Sequence, residues 1–181
     1  INPADDVEAK AAVRAAFEYV GPVYLRFGRL AVPVLNDENN YKFELGKGIV
    51  LKEGTDVTIF ATGLEVYETV EAAKMLEADG INAEVINIHT IKPIDKEAIV
   101  KSAKKTKRVL VVENHNVYGG LYSAVCEVLA KECPTKADVI NYALRTQGID
   151  KTKCLMIGDT FYDLQGAEIA GMDAVGVLYG F

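Results

Sequence analysis

From residue 55 onward, short apolar runs alternate with longer amphipathic stretches, and this alternation constrains the fold more than any other feature of the chain. Strands are expected at 56–61, 83–88, 108–113, 154–158 and 174–178. Between them, helices are expected at 65–78, 95–104, 121–131, 138–147 and 161–170. The strand runs are apolar almost throughout, as strands buried on both faces of a parallel sheet must be. Asp79-Gly80 closes the first of these helices, Asp95 is placed to cap the second, and Gly148 and Gly171 follow the last two. Right-handed crossovers would build a three-layer αβα sandwich on a mostly parallel sheet.

Residues 4–19 form an Ala-rich amphipathic pattern with Asp5 and Asp6 at the end that favours negative charge. Gly21-Pro22 ends it, and 23–27 is a short β-prone run. The polar stretch 36–40, Asn-Asp-Glu-Asn-Asn, reads as a break. Residues 1–35 are therefore expected to be a leader helix and linker, and 36–181 a single α/β domain with a further strand near 48–51. The opening Ile in place of Met suggests a piece cut from something longer.

At 181 residues and 50% apolar content, the chain is large enough to bury one sizeable core. The net charge of −6 is spread along the chain, with no basic stripe of the kind nucleic acid requires. The one basic cluster, Lys101 to Arg108, sits at a helix C-terminus, where the dipole favours it. No apolar run is long enough for a membrane span. Cys126, Cys133 and Cys154 lack CxxC spacing and are odd in number, which argues against a disulfide framework or zinc site and for a reducing cytoplasm.

Four stretches carry a family resemblance: Val-Tyr-Leu-Arg-Phe-Gly-Arg at 23–29, Phe-Ala-Thr-Gly-Leu-Glu-Val at 60–66, Asn-Ile-His-Thr-Ile-Lys-Pro-Ile-Asp at 87–95, and Val-Glu-Asn-His-Asn-Val-Tyr-Gly-Gly at 112–120. On these, residues 1 to about 134 resemble the C-terminal part of transketolase. From about 135 the resemblance changes. Met-Ile-Gly-Asp-Thr-Phe-Tyr-Asp at 156–163, Gly-Ala-Glu-Ile-Ala-Gly-Met-Asp at 166–173 and Gly-Val-Leu-Tyr-Gly at 176–180 resemble haloacid-dehalogenase-like phosphatases of the phosphoglycolate-phosphatase type. Two expected helices in succession, across Cys133-Pro134-Thr135, mark the seam. Both families resemble flavodoxin-like or Rossmann-like sheets, and this implies for the joined chain a mostly parallel five-stranded sheet of order 2-1-3-4-5.

The two resemblances imply incomplete sites. Transketolases hold thiamine diphosphate and Mg²⁺ on earlier domains, and the cofactor motif is missing here. Arg26 or Arg29 matches a substrate-phosphate arginine, suited to bidentate anion binding. The phosphatase resemblance implies an Asp-x-Asp nucleophile motif that this sequence lacks. What remains is Asp159 and Asp163, matching an acidic Mg²⁺ motif, and Lys136, matching a phosphoryl-neutralising lysine. If 108–113 lay beside 154–158, Glu113 would join Asp159 and Asp163 in a latent Mg²⁺ site.

These features lead to the expectation of an engineered chimeric scaffold with no catalytic residues and no cofactor of its own. It would be cytoplasmic, monomeric or a weak homo-oligomer, and would require no partner. Two alternatives stand beside it: a transketolase-like subunit fragment needing a thiamine-diphosphate-binding partner, and a weak Mg²⁺ or phosphate binder with trace phosphatase activity.

Overall fold

The computed structural model describes residues 1–116, 118–132, 140–141, 144–145, 148–158 and 161–177. They belong to two compact units, Ile1–Leu129 and Ala130–Phe181.

The first unit opens with helix α1, Asp6–Glu18. Asp5 caps it, its Oδ1 accepting the Glu8 N–H at 2.8 Å, and Asp6 and Glu8 place negative charge in the first turn. The other oxygen of Asp5 accepts the N–H groups of Leu35 and Asn36, at 2.9 and 2.8 Å, so the same carboxylate fastens the far end of the linker to the start of the helix. No strand forms at 23–27. The Val, Tyr and Phe of that run favour a strand, but a strand also needs a neighbour to complete its ladder, and among the described residues the backbone of this run bonds only to Ile1.

Four strands make the sheet of this unit: β1 Ile49–Lys52, β2 Val57–Ala61, β3 Ala83–Asn87 and β4 Val109–Val112, in the order β1-β3-β2-β4. β2 is parallel to both β3 and β4, while β1 runs antiparallel to β3 along one edge. Helices α2 Glu65–Ala78, α3 Lys96–Thr106 and α4 Leu121–Glu132 connect and cover the sheet. Alternate residues of β2 and β3 feed two cores. Phe60 and Ile86 pack with Ile99 of α3 and Leu121, Val125 and Val128 of α4. Ile59 and Val85 pack with Ala73 of α2 on the opposite face. Each fully buried large side chain here contributes about 1.5–3 kcal/mol by leaving water.

A polar network is buried among these contacts. Thr58 donates to Glu84 at 2.8 Å and shares a 2.9 Å hydrogen bond with Thr106. Lys105 pairs with Glu84, which is 2% exposed, and with Glu53 at 2.8 Å. This ties α3 to the middle of the sheet. The caps follow the sequence: Asp95 accepts the Ala98 N–H at 3.1 Å, and α3 ends on Lys107 in the left-handed conformation.

In the second unit, β5 Leu155–Gly158 and β6 Asp173–Gly176 run parallel, joined through α5 Phe161–Ala170. A 3₁₀ turn, Lys151–Lys153, precedes β5 and is capped by Asp150. Gly158 has no room for a Cβ, because the Asp163 side chain lies against it. The helix expected at 138–147 falls mostly on residues outside those described.

The mostly parallel α/β character is as expected, while the described strands fall in a four-stranded and a two-stranded sheet where a single five-stranded one was expected. The β3-β2-β4 part matches the first three positions of the 2-1-3-4-5 order, and among the described residues β5 and β6 form a two-stranded sheet within the second unit. Periodicity in a sequence reports which residues share a face of one element; it does not report which strands exchange hydrogen bonds.

Candidate functional site

Leaving β2, the chain passes first to β3 on one side and then to β4 on the other. The strand order therefore reverses between β2 and β4, and open α/β sheets bind ligands outside the carboxyl ends of strands at such a point. Here those ends continue into Thr62, Gly63 and Leu64 after β2, and Glu113 and Asn114 after β4. Gly63 has φ +61°, and the Asn2 side chain fills the space a Cβ would need. The first N–H groups of α2 receive no side-chain cap, since Leu64 occupies the N-cap position.

A cleft of about 300 Å³ opens at this reversal, lined by Asn2, Arg26, Arg29, Thr62, Leu64 and Asn114. Both arginines named from the sequence are thus brought to one cleft. They are not equivalent. Arg26 donates from Nη2 to the Asn114 carbonyl at 2.6 Å, bridging the linker to the loop after β4. Arg29 is exposed.

Arg26 also walls a second, larger cleft of about 460 Å³, together with Tyr19, Tyr24, Ile91, Lys92, Pro93, Glu113, His115, Gly119 and Gly120. Glu113 is committed here: its Oε2 accepts the Leu121 N–H at 2.6 Å, capping α4 with a charge of favourable sign. A Cβ at Gly120 would run into that carboxylate, which explains the second glycine of the Gly119-Gly120 pair.

Of the residues expected to form a latent Mg²⁺ site, the structure describes Glu113 and Asp163, each within its own unit. Glu113 belongs to the first unit and serves as a helix cap, while Asp163 is buried in the first turn of α5 in the second. Asp159 and Lys136 lie outside the described residues. Among the described residues no group of three or more His, Cys, Asp or Glu side chains could hold a metal ion.

Two buried polar groups beside β3 carry no mark in the sequence. Glu8 is fully buried, accepting from the Ala4 N–H at 2.6 Å, from Asn87 Nδ2 at 2.9 Å and from the Tyr41 hydroxyl. Burial raises its pKa, against the lowering effect of these donors. His89, also fully buried, stacks on Phe43 with ring centroids 4.3 Å apart and shares a 2.8 Å hydrogen bond with Thr90. Its Nε2 finds no partner among the described residues. Burial, reinforced by the nearby terminal ammonium, lowers its pKa from 6.5 to about 4. A polar residue inside a helical or family motif gives no sign in one sequence of being buried; only the packing of the leader and linker on β3 does.

Residues 46–149, more than half the chain, match the family model of the transketolase C-terminal domain. The chain belongs to that family. This transketolase-type chain is 46% identical over 133 residues to the 6-deoxy-6-sulfo-D-fructose transketolase subunit of Clostridium sp. (strain MSTE9), covering 74% of this chain and 41% of that protein. It is 42% identical over 131 residues to an apulose-4-phosphate transketolase subunit of Phocaeicola vulgatus, covering 72% and 42%. Among solved structures, a split gene transketolase, described as an inactive β4 tetramer, superposes with a TM-score of 0.71 at 51% identity, covering 73% of this chain and 43% of that one. The chain thus spans about two fifths of the length of these relatives. The model of a second family, HAD-hydrolase-like, matches residues 135–181, overlapping the transketolase match by the segment 135–149.

These relatives overturn the expectation that no partner is required, because they are subunits of multi-chain transketolases, and the solved one is a tetramer. Among the described residues no helix is long and apolar enough to cross a membrane.

Proposed function

We propose that this transketolase-type chain is part of a split transketolase subunit that acts only with a partner binding thiamine diphosphate, in place of the engineered scaffold expected from the sequence. The observation that carries this reading is the match of residues 46–149 to the transketolase C-terminal domain, supported by 46% identity to a natural transketolase subunit. The residues present do not fit the cofactor itself. The cleft at the strand reversal offers guanidinium groups, which suit phosphate, and the described residues offer no carboxylate cluster for the Mg²⁺ of a metal–diphosphate. In this reading the cofactor and its metal sit on the partner.

The part left to this chain is to hold the phosphate of a sugar-phosphate substrate. Arg29, exposed at the rim, would clamp the phosphate oxygens, and Arg26, anchored on Asn114, would shape the cleft behind it. The test is to mix the tagged chain with the thiamine-diphosphate-binding subunit of a split transketolase and follow both assembly and ketol transfer. A stable complex is expected, with Arg29→Ala raising KM for a phosphorylated acceptor about tenfold or more and leaving the complex intact. A chain that elutes alone at micromolar concentrations of both would sink the proposal.

A further inference from the structure

The larger cleft, between the 19–26 segment and the loop after β4, shares Arg26 with the sugar-phosphate cleft but opens between different walls, with Lys92, His115 and Pro93 in place of Arg29 and Thr62. We propose that it is a separate binding site for a small phosphomonoester carrying a ring or other apolar group. Binding there does not depend on partner assembly.

Three features of the wall support it. The first is uncompensated positive charge. Lys92 and Arg26 both line the cleft, and neither makes an ion pair among the described residues. The one carboxylate in the wall, Glu113, is turned to the Leu121 N–H at 2.6 Å and directs its charge to the start of α4. An anion entering the cleft thus meets cations whose usual counter-charge is engaged elsewhere.

The second feature is a further donor beside those cations. His115 lies in the same wall, and among the described residues its Nδ1 makes only a long 3.4 Å contact with the Asn116 carbonyl. Lys, Arg and imidazole N–H groups around one space form the kind of donor set that recognises phosphate oxygens.

The third is the rest of the lining. Tyr19, Tyr24, Ile91 and Pro93 offer rings and apolar surface. Small-molecule sites characteristically combine such a wall with a few convergent polar groups. At about 460 Å³ the space exceeds what a bare phosphate needs and falls within the range of ligand pockets. This favours an ester over the free ion.

The decisive experiment is an amide NMR titration of the ¹⁵N-labelled chain with phenyl phosphate and, separately, inorganic phosphate. Shifts are expected at Ile91, His115, Gly119 and Gly120, with phenyl phosphate binding several-fold more tightly. A Lys92→Gln/His115→Ala double variant, its fold checked by the dispersion of its spectrum, should weaken phenyl phosphate at least about tenfold. Lys74→Gln, a surface charge change on α2, should not weaken it. Shifts confined to Thr62, Leu64 and Asn114 would assign anion binding to the arginine cleft alone and overturn the proposal. Unchanged affinity in the double variant, or equal affinity for the two probes, would overturn it as well.

Discussion

His89 makes a quantitative prediction about acid stability. The ring is fully buried against Phe43, and its pKa falls from 6.5 to about 4. Below pH 6.5 the unfolded chain takes up a proton at this site that the folded chain refuses until about pH 4. Stability contributed by the neutral imidazole is therefore complete above pH 6.5 and is lost as pH falls through that window. The fall from 6.5 to about 4, at about 1.4 kcal/mol per tenfold change in proton affinity, makes the full loss about 3 kcal/mol, of which about 2 kcal/mol is gone at pH 5. His89→Phe keeps a ring against Phe43 and removes the titration. It gives up the Thr90 hydrogen bond, worth about 1 kcal/mol at pH 7.5. Urea unfolding of both proteins, followed by far-UV circular dichroism from pH 7.5 to 4.5, reads the difference. The variant should be the less stable at pH 7.5 and the more stable at pH 5. Two curves that stay parallel across this range would refute the reasoning, since other groups titrate equally in both.

Three further outcomes follow from the packing. Lys105→Met should cost about 3–5 kcal/mol by stranding the buried carboxylate of Glu84, and Lys105→Met/Glu84→Gln should recover much of that in the same urea assay. Phe60→Ala, at a fully buried core position, should lower stability by about 3–5 kcal/mol in calorimetry or urea. Glu113→Ala should cost about 1 kcal/mol and speed amide exchange at Leu121 in the first turn of α4, with no change in the response to Mg²⁺.

The local elements of this chain are legible in its sequence because each has a local cause. The β2, α2 and α5 segments show the expected period, and Asp5, Asp95 and Gly171 mark ends that the structure keeps. Pairing between distant strands has no such local mark. The run 108–113 reads as well for a central strand as for the edge that β4 forms among the described residues, so the five-stranded sheet could not be told from two separate ones. The same limit applies to the site. Arg26 and Arg29 stand in a recognisable stretch, and they do share a cleft. That Arg26 is tied to Asn114 depends on a contact across 88 residues of chain. Glu113 is conspicuous in the sequence and reads there as a metal ligand, while its work as a helix cap depends on a turn that only folding brings round. Glu8 sits in an Ala-rich helix like any solvated glutamate, and the Asn87 and Tyr41 that bury it come from much later in the chain.

Asp5 turns the leader and linker into a closed loop. Its carboxylate holds the first turn of α1 with one oxygen and the backbone of Leu35 and Asn36 with the other. Within that loop the 30–34 stretch can change length without moving the strands that follow. Doubling the length of a flexible loop adds only about 0.6 kcal/mol of closure entropy. Residues 30–34, clear of the larger cleft and mostly exposed, are where a reporter or an affinity tag can be spliced in with the sheet undisturbed. Mutation of Asp5 would open the loop and remove that tolerance, so one carboxylate sets how freely this stretch of chain can diversify.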